Sequence, residues 1–223
     1  MKGSAVSLAL QFVPEFFVVL RHGIPKLMLL IQLTGNDVKE LELREEALHQ
    51  ALLKFRVPMR TTKREDEEKK YWTIRRESFN LLRNRIKDKH TAPFIDDVIV
   101  RPEKLSEFLP RLNVIIDKYS DKMTSTIAGH AGDGNFHIIP LMDLRDPASR
   151  GLIPKVADEV YTLVKQFGGS FTAEHNDGLI RTPYLEKMFG RKIVQLFEET
   201  KKIFDPLDLF NPGKKVKDRK SVV

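Results

Sequence analysis

Cysteine is absent from all 223 residues, which excludes disulfides and iron–sulfur ligation within this chain. A cytoplasmic setting is then the default expectation. Also missing is an unbroken apolar run long enough to span a bilayer. Residues 5–20 come nearest, but Gln11, Pro14 and Glu15 interrupt them. That segment has no clean signal-peptide cleavage pattern, and it reads as an amphipathic piece that packs on a sheet or on another domain. No internal repeat or low-complexity tract is evident. There is no recognition-helix motif and no basic stripe with interleaved aromatics, so the formal charge of +7 does not point to nucleic acid. Part of that excess sits in Lys214, Lys215, Lys217, Arg219 and Lys220, in a tail over residues 214–223. Such a tail reads as a solvated end, or as a means of attraction to the inner face of a membrane or to acidic partners.

What remains is an ordinary globular composition, 41% hydrophobic, with enough chain to bury a substantial core in one large domain or two subdomains. Residues 26–33 read as a buried strand. Val38, Leu41, Ala47, Leu48, Ala51, Leu52 and Phe55 repeat at roughly helical spacing. Residues 65–89 read as a long charged helix whose apolar side carries Trp72, Ile74, Phe79, Leu82 and Ile86. The pattern then predicts a strand over residues 96–101, a helix opened by Pro102, a hairpin, a helix over residues 149–167 and a strand over residues 170–174. Asp205-Pro206 stops the last helix, and Asn211-Pro212-Gly213 turns the chain. The order implies an α+β domain built on antiparallel sheet.

Half of the six histidines fall in two short motifs, Gly129-His130-Ala131-Gly132-Asp133-Gly134-Asn135-Phe136-His137 and Ala173-Glu174-His175-Asn176-Asp177-Gly178. If residues 132–135 form a four-residue loop, His130 and His137 stand opposite one another on one sheet face. Opposed side chains there have Cβ atoms about 4.5–5.5 Å apart, close enough to share one divalent ion. Glu174 offers an anionic oxygen. Two histidines and a carboxylate with open positions suit zinc, manganese or iron in a catalytic role. Successive strand residues point to opposite faces, so Glu174 and His175 are expected to have different roles unless the strand bends. Spacing alone names no reaction. A metal-dependent hydrolase with His175 as base and a non-catalytic module both remain open.

Those motifs, together with the terminal Phe204-Asp205-Pro206-Leu207-Asp208-Leu209-Phe210-Asn211-Pro212-Gly213-Lys214 and the earlier Tyr71-Trp72-Thr73-Ile74-Arg75-Arg76-Glu77, resemble the C-terminal domain of FAD-linked oxidases. That family includes D-lactate dehydrogenase, the glycolate oxidase flavin subunit and D-2-hydroxyglutarate dehydrogenase. The resemblance implies a duplicated ferredoxin-like fold over residues 1–213 and oxidation of a D-2-hydroxy acid by hydride transfer to flavin. It implies His130, His137 and Glu174 as ligands of a divalent metal and His175 as the base that removes the substrate hydroxyl proton. Arg75 is implied as the substrate carboxylate contact, and Asn211 as part of the asparagine-proline turn that approaches the FAD. Imidazole is suited to accept a proton near neutral pH, and a guanidinium fork matches a carboxylate.

Ile139 stands where hydroxyglutarate-type members place an asparagine, which directs the expectation to lactate or glycolate. The run from Glu174 to Thr182 is similar to the D-lactate type often fused to iron–sulfur modules, so an iron–sulfur electron acceptor is a candidate partner. Within that run Arg181 is a second candidate contact for a carboxylate or phosphate, or else a solvated charge at a helix start. Nothing before Gly129 resembles the family's glycine-rich pyrophosphate loop. The expectation is therefore a C-terminal piece or a separate subunit that works with an FAD-binding domain and is inactive alone.

Overall fold

The computed structural model describes residues 20–21, 23, 27–85 and 88–216, and the chain divides into two compact units, Met1–Glu77 and Ser78–Val223. Residues 5–19 of the apolar stretch, and the tail from Lys217, lie outside the described residues.

In the first unit, helix α1 (Val38–Leu53) starts where the Asp37 carboxylate accepts the Lys39 N–H at 2.8 Å, satisfying a donor that the helix itself cannot. Helix α2 (Glu65–Arg85), which begins in this unit and runs past its boundary at Glu77, opens with Glu65, Asp66, Glu67 and Glu68, negative charge at the positive end of its dipole. Trp72 on α2 is half-buried, and the Arg75 guanidinium lies 5.8 Å from its ring centroid. The strand predicted over residues 26–33 does not form in its described part, residues 27–33. Leu27 and Leu29 are 73% and 64% exposed, and no described strand lies alongside to pair with their backbone.

The second unit is built on one four-stranded antiparallel sheet: β1 (His90–Thr91), β2 (Val98–Ile99), β3 (Met123–His130) and β4 (Asn135–Met142). Strand β4 is central. It pairs along its length with β3, from Met123↔Met142 to His130↔Asn135, and on its other edge with β1 and β2 near its two ends. Helices α3 (Leu105–Asp117) and α4 (Pro147–Gln166) supply the other half of the core. Phe136, Ile138 and Met142 of β4 are buried with Phe108 and Leu112 of α3 and Val156, Val160 and Val164 of α4. Helix α4 is capped by Asp146, whose carboxylate accepts the Ala148 N–H and the Ser149 hydroxyl. Short helices α5 (Gly178–Arg181) and α6 (Leu185–Phe189) lead to α7 (Arg191–Phe204), which Asp205-Pro206 ends as expected.

The α+β class and the antiparallel sheet agree with the sequence reading. Among the described residues there is this one sheet, and the duplication is not displayed by them. The strand predicted over residues 96–101 shortens to Val98–Ile99, because Asp97, at φ 64°, turns the chain just before it. The strand predicted over residues 170–174 reduces to a single bridge, Ile99↔Ser170. No described helix is long and apolar enough to cross a membrane.

Candidate metal centre

The site lies on the sheet face away from α3 and α4. Along β4, Phe136 and Ile138 enter the core, so Asn135, His137 and Ile139 alternate to the other face. The hairpin differs from the expected register by two residues. Residues 131–134 form the loop, His130 pairs with Asn135, and His137 with Ala128. Gly134 is the cause. It takes a left-handed φ of 73°, and a Cβ there would lie 1.8 Å from the Val100 carbonyl oxygen. That close approach lets Val100 donate its N–H to the Gly134 carbonyl at 3.0 Å and leaves Asn135 in the strand. A shift of two preserves the face, so His130 and His137 are diagonal neighbours with ring centroids 5.6 Å apart.

After the Ser170 bridge the chain bends. The carboxylate of Asp97, fully buried, accepts the backbone N–H groups of Ala173 (2.8 Å), Glu174 (3.1 Å) and His175 (2.9 Å) and the Asn135 side-chain amide (3.0 Å). Burial opposes ionisation of Asp97, but these donated hydrogen bonds outweigh it and lower its pKa. Wrapping three successive amides around one anion abolishes strand alternation. Glu174 and His175 therefore reach the same cluster, the outcome expected only if the strand bends.

One oxygen of Glu174 then sits among the Nε2 atoms of three imidazoles: 2.9 Å from His137, 3.5 Å from His175 and 3.6 Å from His130. His137 and His175 stack at 4.9 Å with 12° between their planes. Their Nδ1 atoms face the two oxygens of Asp96, at 3.1 Å from His137 and 3.3 Å from His175. His137 and Asp96 are the inner members, with side chains 15% and 13% exposed. His130, His175 and Glu174 are about half open to solvent. Ligand atoms of Asp97, His137, Glu174 and His175 also lie within 4.8 Å of one another. We assign Asp97 to the backbone instead, since its oxygens are already filled by N–H donors.

Asp96 and Asp97 were missed in the sequence. Their signal is two adjacent acids inside the otherwise apolar Phe94-Ile95-Asp96-Asp97-Val98-Ile99-Val100, where acids are rarely buried without a task.

Arg181 is not the solvated charge of one of its two expected readings. It is 6% exposed, and its guanidinium donates to the Asn176 carbonyl and, at 2.8 Å, to the Asp96 carbonyl. It thus ties the Glu174–His175 loop to the turn before β2, and those donors are spent on the chain itself. Arg75 belongs to the first unit. Asn211, at φ 49°, begins the expected turn. Four residues on, Lys215 is no solvated tail. Its ammonium is 3.1 Å from the buried Asp177 carboxylate and 3.0 Å from the Asn176 side-chain oxygen. Its N–H donates to Thr182 Oγ1 at 2.8 Å, so Lys215 is tied to the loop that follows His175.

Residues 20–215 match the family described as FAD linked oxidases, C-terminal domain, and the chain belongs to that family. Similar proteins include D-2-hydroxyglutarate dehydrogenase of Pseudomonas putida, 32% identical over 143 residues that make up 64% of this chain and 14% of that protein. The glycolate oxidase subunit GlcD of Bacillus subtilis is 30% identical over 158 residues, 71% of this chain and 32% of that subunit. D-lactate dehydrogenase of Anaerostipes hadrus is 33% identical over 119 residues, 53% and 25% of the two chains. The chain thus spans well under half the length of these relatives.

Proposed function

We propose that the chain supplies the substrate- and cation-binding side of an FAD-dependent oxidoreductase that converts a D-2-hydroxy acid of the lactate or glycolate type to the 2-oxo acid. The observation that carries this reading is the convergence of three imidazole Nε2 atoms on one carboxylate oxygen, within 3.6 Å. Lone pairs and an anion gathered so closely repel one another unless positive charge stands among them. Nitrogen and oxygen donors of this kind fit zinc, manganese or iron. His130, His137 and Glu174 would hold the cation, and His175 would accept the proton of the substrate hydroxyl. When bound, the cation supplies Lewis acidity and the flavin accepts the hydride.

The remaining roles follow the family. Arg75 offers a planar donor fork for the substrate carboxylate. The Asn211 turn, tied through Lys215 to the Glu174–His175 loop, is the part directed toward FAD. Residues 1–213 then form the family's C-terminal domain, completed by an FAD-binding domain or subunit in a cytoplasmic protein. An iron–sulfur protein is a fitting acceptor for the electrons. Ile139, half-buried on the site's sheet face, presents no polar group to a second carboxylate, which favours a small hydroxy acid over hydroxyglutarate.

The test combines elemental mass spectrometry of the purified chain with calorimetric titration of D-lactate, glycolate and D-2-hydroxyglutarate. Near one divalent ion per chain, lost in His130→Ala/His137→Ala, with lactate or glycolate binding only to the loaded chain, is the expected result. Uptake unaffected by the double substitution, or hydroxy-acid binding indifferent to the ion, would refute the assignment.

A further inference from the structure

The parallel pair of His137 and His175 has a carboxylate on each edge. Glu174, half exposed, stands at the Nε2 edge, and Asp96, largely buried, at the Nδ1 edge. The two edges are chemically unequal. An ionised carboxylate only accepts hydrogen bonds, and of these approaches only that of His137 Nδ1 to Asp96, at 3.1 Å, has hydrogen-bond geometry, so His137 carries its hydrogen on Nδ1, and His175, with its Nδ1 3.3 Å from the other Asp96 oxygen, is placed to do the same. A neutral imidazole has one N–H, and placing it on Nδ1 leaves the lone pair on Nε2.

We propose that Asp96 is the shared positioning residue of this site: its two oxygens take the Nδ1–H groups of His137 and His175 together, fixing both rings in the tautomer that presents Nε2 to a cation or to a substrate proton. Asp96 is itself held from outside the pair, because Arg181 donates to its backbone carbonyl at 2.8 Å and to that of Asn176 across the loop. Asp97 next to it, at φ 64°, turns its carboxylate away to the amides of Ala173, Glu174 and His175. One acid of the pair thus sets the loop and the other sets the rings. A single anion shared by two rings also couples them. Whatever displaces His137 from Asp96 removes a restraint on His175. The stack at 4.9 Å fixes their spacing, and Asp96 fixes their rotation about it.

The consequence for catalysis rests on the function proposed above, whereas the tautomer assignment stands on the geometry of the chain alone. The experiment separates the two. Long-range proton–nitrogen NMR correlations of isotope-labelled histidine, recorded above neutral pH on the metal-free chain, report the tautomer of each ring, with the exposed His49 and His90 as internal controls. The wild-type chain is expected to show Nδ1–H at both His137 and His175. Asp96→Asn keeps the shape but has one oxygen and one amide group to offer, so one ring is expected to move to the Nε2–H form. Asp96→Ala is expected to release both. Calorimetric titration with zinc should then show affinity reduced roughly 10- to 100-fold in Asp96→Ala, the scale seen when the partner of a ligating histidine is removed. If both rings keep Nδ1–H without the carboxylate, the proposal is overturned. If the rings change tautomer in the variants but the wild-type chain takes up no zinc, Asp96 retains its positioning role and the metal assignment falls.

Discussion

At the scale of single residues, the site depends on two adjacent acids more than on any histidine, because they decide where the histidines point. Asp97 is the clearest case. Three backbone N–H groups and one side-chain amide converge on its buried carboxylate, and Asp97→Ala would leave those donors without their acceptor. Hydrogen bonds to a charged group contribute about 1.5–3 kcal/mol each. With some relaxation of the loop, we expect a net loss of about 3 kcal/mol in urea unfolding and release of the ion from the loosened Glu174–His175 loop. The pH dependence has a definite sign. The folded-state pKa of Asp97 is lowered, so its contribution is full above the unfolded carboxylate value, near 3.9, and is lost as pH falls through the folded one. The stability gap between wild type and variant should therefore be constant near neutrality and close below about pH 4. A gap that widens in acid would contradict this account. His130, His137, Glu174 and His175 were legible in the sequence as one constellation, since the motifs spell it out. Asp96 and Asp97 were not, because their roles depend on a left-handed turn and on a loop some 76 residues away.

At the scale of elements, the hairpin shows which part of a sequence reading survives error. The expected loop moved by one residue and the pairing register by two, yet both histidines stayed on the intended face, because a strand repeats with period two. A shift of the pairing register by one would have put one set of side chains into the core. Gly134 decides the register through its contact with Val100, which no local turn preference could have disclosed. Gly134→Ala would force a Cβ onto the Val100 carbonyl oxygen and demand φ 73° of an L side chain. Overpacking of this kind costs about 1–3 kcal/mol. We expect a loss of at least that size in thermal or chemical unfolding, together with weakened ion uptake as His130 moves away from His137. Near-native stability and unchanged uptake in that variant would mean that the register is fixed elsewhere. The longer helices were readable from apolar spacing and from the prolines at Pro102 and Pro206, since both signals are local. The strands near residues 98 and 170 were overestimated, because alternation cannot show that a buried aspartate will draw the chain out of the sheet.

At the scale of the whole molecule, the chain carries exposed apolar side chains as well as the histidine cluster. On α7 and the segment after it, Ile203, Phe204, Leu207 and Phe210 are 70–82% exposed, and apolar groups of that size clustered at a surface commonly mark a contact with another body. The relatives put this in proportion: the matched region is 14–32% of their length, and the family match, over residues 20–215, contains the cluster proposed here to hold a cation and accept a proton. Oxidation of a hydroxy acid removes a proton and a hydride together. In the function proposed above the chain's own residues account for the proton, and the hydride requires a flavin held at a fixed distance and angle. Free FAD added to the purified chain should therefore give no reduction of a dye acceptor by D-lactate or glycolate, even with the ion in place. Mixing the same chain with a separately produced flavin-binding portion of one of these relatives should produce turnover, and His175→Ala should abolish it while leaving the bound ion. Turnover by the chain with FAD alone would show instead that these residues hold the flavin themselves, and that the exposed apolar surface serves some other contact.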